Sequence, residues 1–168
     1  MGHEKERNAV TGDVNGSVPI TTRRKKANDV AALFSDLGLE SYLLDGYVEF
    51  LDTLGKAVPE RLLALCGLRV AAIHGEPVAE NNGTDTLSGK EVDAIIRGDL
   101  DAFTGTERAA LQLTERMPLE WHELTDPEVQ SVVSHIGEAG CVALMTAIAF
   151  FDTNCRLQAT LASLSRHQ

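Results

Sequence analysis

His74 and Glu76 stand one residue apart in His74-Gly75-Glu76-Pro77, at the close of an otherwise apolar stretch. A histidine near a helix C-terminus tends to hold its proton, and a half-buried carboxylate tends to have a raised pKa. Together they are the first candidates for an acid/base pair working near neutral pH. The competing structural role is simpler: His74 caps the helix carbonyls and Glu76 is a solvated loop acid.

Four more positions stand out by type and spacing. Arg69 interrupts the same apolar stretch, and Cys66, Arg69, Ile73 and Glu76 fall on one face at three- and four-residue steps. A charge there must be paired or line a cavity, so Arg69 either meets an acid or binds an anionic substrate. Asp152 lies in the stripe Cys141, Met145, Ile148, Asp152, Cys155, the inward face of the last helix by spacing. It is expected either to ion-pair with Arg156 or Arg69, or to serve as a second base. Tyr47, with Tyr42 and Phe50, forms an aromatic cluster suited to core packing or to stacking a flat ligand. Cys66, Arg69, Asp152 and Tyr47 are therefore the candidate substrate contacts around His74 and Glu76. His122 and His135 have no partner at metal-ligand spacing, and no bound metal and no cofactor are expected.

Helices must carry these groups. Val30, Leu33, Phe34 and Leu37 open the helical patterning, with Gly38 as a stop. Ser41 to Leu54 reads as a second helix ended by Gly55, and Pro59 starts a third through Ile73. That third element is apolar nearly all round and is predicted to be the central buried helix. Gly75 to Gly89 reads largely as loop. Helices are then predicted over Ser88–Arg97, Thr106–Met117, Asp126–His135 and about Glu138–Ser163, with a capping box at Ser88 and Glu91. Pro118 to Leu124 reads as loop. Residues 1–26 are expected to be a flexible arm and 27–168 one all-α domain of about six to seven helices.

Three stretches resemble the alkylhydroperoxidase D-like branch of the carboxymuconolactone decarboxylase superfamily. They are Leu62 to Gly75, the pair Leu87–Val92 and Phe103–Leu111, and Ala147 to Leu157 in the last helix. The resemblance implies an alkylhydroperoxidase D-like helical bundle, cofactor-free or disulfide-based chemistry, and a homo-oligomer such as a dimer, trimer or hexamer. The departures from the family are specific. Where its redox members place a glutamate, two cysteines and a histidine, this chain has Ala64, Glu76, Ala79 and Gly83. A disulfide-cycling peroxidase needs one thiolate to attack and another to resolve, and neither is present.

Bulk composition narrows the remaining classes. The 168 residues are 43% hydrophobic, 24% charged and only 5% aromatic, a mixture that favours packed helices. The formal net charge is −10; six Lys/Arg against three acids in residues 1–26 leave the body at −13. Such a body repels nucleic acid and anionic membranes, so neither is an expected partner. The basic run Arg23-Arg24-Lys25-Lys26 is expected to be solvated. Three isolated cysteines and no apolar signal region point to a reducing, cytoplasmic setting. The resemblance, taken with the ionisable residues above, implies a cofactor-independent enzyme acting by acid/base decarboxylation, isomerisation or cyclisation on a small carbonyl-rich or aromatic metabolite, with decarboxylation implied by analogy to the family alone. The alternative is a catalytically silent ligand- or partner-binding protein, with a thiol peroxidase least favoured.

Overall fold

A computed structural model of the protein describes residues 41–76 and 86–165; the N-terminal arm, the helix predicted through Val30, Leu33, Phe34 and Leu37 and most of the Gly75–Gly89 loop lie outside them. Five α-helices follow: α1 Ser41–Ala57, α2 Glu60–Ile73, α3 Gly89–Arg97, α4 Gly105–Glu120 and α5 Asp126–Ser165. Short 3-10 turns at Leu100–Ala102 and Trp121–Glu123 flank α4, and there is no strand among the described residues.

The helix starts are chemically specified. Ser88 and Glu91 form a reciprocal capping box on α3, and Thr104 and Glu107 form another on α4. At α5 only half of that pattern is present: the Glu128 carboxylate accepts from both the Thr125 amide and hydroxyl, while the Glu128 amide bonds to Thr125 O. Gly98, at φ 73°, ends α3 in the left-handed conformation that a glycine adopts without strain.

The predicted rod is the centre of the molecule. α2 packs on both α4 and α5, which also pack on each other. From α2, Leu65 and Cys66 are fully buried, and they join Ile95, Leu111, Leu113, Leu144 and Ile148 in one continuous core. Each such side chain withdrawn from water contributes about 1.5–3 kcal/mol.

Two boundaries differ from the sequence reading. α1 runs through Gly55 to Ala57, because Leu54 and Val58 are both buried and the Val58 amide bonds Leu54 O at 3.0 Å. α4 continues through Pro118 to Glu120, where the Pro118 carbonyl accepts from Arg156 Nη2 of α5. The two predicted C-terminal helices follow one another as α5, broken only at Gly137 (φ 73°, ψ 170°). By length and composition, Asp126–Thr160 is apolar enough to cross a membrane, a property that core helices share.

Candidate functional site

α2 ends in a turn built around Gly75 at φ 68°. The amides of His74, Gly75 and Glu76 bond back to the carbonyls of Val70, Ala72 and Ala71, a Schellman-type closure that only a glycine makes without strain. This turn places the His74 side chain against α5. His74 Nε2 lies 2.7 Å from Asp152 Oδ1, and both side chains are 19% exposed.

Asp152 is the hub. Its Oδ2 accepts from Arg156 Nε at 2.9 Å, one turn along α5. Arg156 Nη2 in turn donates to Pro118 O at 3.2 Å, tying α5 to the last turn of α4. Burial pushes the Asp152 carboxyl up, but hydrogen bonds from Arg156 and His74 outweigh it and hold the group below the usual carboxylate range. Asp152 is therefore an anion at neutral pH.

Beside this hub is a half-open cleft of about 260 Å³. Met117, Pro118 and Trp121 form one wall; Ile148, Ala149, Asp152 and Thr153 form the other. Asp152 is thus shared between the cleft and His74. The volume falls just below the roughly 300–1,000 Å³ of ordinary ligand pockets, so it suits only a small molecule against mainly apolar walls.

The remaining candidates are dispersed. Glu76 follows the Gly75 turn and sits near enough to Cys155 that, after burial, its charge and that of Asp152 help to raise the Cys155 thiol. Arg69 faces away from the cleft. It forms an ion pair with Glu115 at 2.8 Å and donates to Ile95 O at 2.7 Å and Ile96 O at 3.3 Å, closing the C-terminal end of α3. Cys66 is a core thiol whose Sγ faces Ala110 O, and burial pushes it up to about 12, so it carries no thiolate at neutral pH. Tyr47 lies on α1, with its side chain outside the described residues; its neighbour Phe50 meets Phe150 of α5 with ring centroids 5.0 Å apart. His122 is exposed against Trp121, and His135 is exposed near Gly105. Among the described residues no three His, Cys, Asp or Glu side chains gather as metal ligands.

The chain matches no family model, no curated protein and no solved structure.

Reasoning from the sequence misses two arginines. Arg156 enters it only as a partner for Asp152, not as the link to Pro118. Arg61 does not enter it at all. Its Nε donates to Glu107 Oε1 at 2.6 Å, Nη2 pairs with Glu91, and Nη1 donates to Thr86 O at 3.1 Å. One guanidinium thereby joins the capping glutamates of two helices. Glu91 is held down at about 2, first by Arg61 and then by Ser88. For Glu107, burial opposes and the Thr104 and Arg61 hydrogen bonds win, lowering it too. The readable signal is two S/T-x-x-E starts with an upstream arginine on the helix that both must touch.

Proposed function

We propose that this chain is a cofactor-independent acid/base enzyme of small-molecule metabolism, in which Asp152 holds His74 ready to exchange a proton with a ligand in the adjacent cleft. The 2.7 Å bridge from His74 Nε2 to Asp152 Oδ1, with Asp152 also forming a cleft wall, carries this reading. His74 is not among the residues lining the cleft, so its proton passes to or from a ligand there through Asp152, which touches both. The Asp152 anion stabilises the imidazolium that forms, as an aspartate orients and supports a catalytic histidine elsewhere. Glu76, two residues from His74, is the second ionisable group at this end of α2. Mainly apolar walls favour a carbonyl-rich or aromatic metabolite that undergoes decarboxylation, isomerisation or cyclisation.

The proposed scaffold is that of the carboxymuconolactone decarboxylase and alkylhydroperoxidase D-like proteins, in a form without their cysteine pair. The three sequence stretches and an all-helical build around a buried α2 support that reading. A second reading has one observation in its favour. Asp152, Arg156 and the Pro118 carbonyl form a closed chain of bonds, which suits a protein that binds a ligand without transforming it.

The deciding experiment incubates the protein in heavy water with a panel of 2-oxo acids, 3-oxo acids and hydroxyaromatic carbonyl compounds. Loss of C–H signals or of substrate is followed by proton NMR. Turnover that falls about 100-fold or more in both His74→Gln and Asp152→Asn supports the acid/base reading. Binding without turnover supports the silent one. Turnover indifferent to both substitutions defeats the assignment of the site.

A further inference from the structure

The outer face of α5 has a charge pattern that constrains what can cover it. Glu138, Val142, Thr146, Ala149, Thr153 and Arg156 are all exposed, and they recur at three- and four-residue steps. From Glu138 to Arg156 is about five helical turns, so the two charges lie on one line along the helix. Residues 139–151 contain no Asp, Glu, Lys, Arg or His. The line is thus an apolar and small-residue strip with an acid at one end and a base at the other. Val142 is 64% exposed, and Trp121, bordering the same strip across the cleft, is 71% exposed.

A strip of this kind complements itself in one orientation only. Two parallel copies would set acid against acid and base against base. Two antiparallel copies related by a twofold axis set acid against base at both ends.

We propose that the outer face of α5 is the interface of a homodimer, with the two helices antiparallel about a point near Ala147 and Glu138 of each copy opposite the partner's Arg156. At that register Thr146 and Ala149 pack close to the axis, where small side chains allow the helices to approach to about 8–10 Å. The partner's Val142 falls opposite Asp152 and Thr153 and covers the open side of the cleft. Arg156 can serve both contacts, because Nε and Nη2 are used within the protomer while Nη1 has no partner among the described residues. The dimer does not depend on the cleft being catalytic.

Sedimentation velocity on the full chain tests the assembly. The expected species has twice the 18.1 kDa chain mass and dissociates on dilution. Trp121 is the one tryptophan of the sequence, so its emission should shift to the blue as the dimer forms. Glu138→Arg alone should weaken the dimer roughly tenfold, and adding Arg156→Glu should restore it. Thr146→Cys leaves both charges in place, and on oxidation its two copies should cross-link across the axis. Val142→Cys should not, since its two copies would lie about 15 Å apart along the axis at 1.5 Å per residue. A monomer at every concentration overturns the proposal, as does a monomer that floats with phosphatidylcholine vesicles. A dimer that Glu138→Arg leaves intact and that Thr146→Cys fails to cross-link overturns it equally.

Discussion

His74 and Asp152 were each legible in the sequence, but their meeting was not. They are 78 positions apart, and what joins them is the Gly75 turn swinging the end of α2 onto α5. Spacing rules describe one helix face at a time, so they offered the neighbour Glu76 as the partner of His74 instead. The same locality explains Arg69: of its two readings, an acid partner or an anionic substrate, the structure shows an acid partner, Glu115 on α4, beyond the reach of helical periodicity. The Asp152 carboxyl is held below its ordinary value, so the stability it confers is fully present above its unfolded value of about 4 and is lost as pH falls further. Asp152→Asn should therefore be less stable than the parent by about 1.5–3 kcal/mol at pH 7, with the gap closing below pH 4. Urea titrations at pH 7 and pH 3 check this. Cys66 makes a separate prediction. With no exposure and a thiol raised to about 12, it should resist alkylation in the native protein and react at the rate at which the chain opens, well behind the half-buried Cys155.

Among the elements, the helix starts were the most readable features and the helix ends the least. A capping box is local chemistry, four consecutive residues satisfying each other, and Ser88 with Glu91 reads directly from the sequence. A stop is a competition between a local preference and packing. Gly55 lost it: the position is helical, exposed and has no atom within 4 Å of where a methyl would sit. Gly55→Ala should accordingly stabilise the protein by about 0.5–1 kcal/mol. Gly98→Ala should do the reverse, costing about 1–2 kcal/mol, because its φ is +73° and the new methyl would lie 2.9 Å from Arg69 Nη2. Thermal melts of the two variants provide a paired check. Arg61 unites the starts of α3 and α4, so Arg61→Met should cost about 2 kcal/mol at neutral pH. That cost should shrink as pH falls from about 4.5 towards 2, where Glu91 takes up its proton and the ion pair is lost.

For the molecule as a whole, composition favoured packed helices, and the stretch that is apolar nearly all round nominated α2 as the rod at the centre. The break within the long C-terminal element was foreseen as well. The residues around 126 and the residues after 138 each read as a helix, and so they are, but a single glycine joins them without a loop. Gly137 takes a φ/ψ combination open almost only to glycine, so the hydrogen-bond ladder stops there and begins again. Peptide dipoles add only along an unbroken ladder. What looks like one forty-residue rod is therefore electrically two magnets laid end to end, and near Gly137 a negative pole of roughly half a charge abuts a positive pole of the same size. Glu138 is the first carboxylate to meet that positive pole.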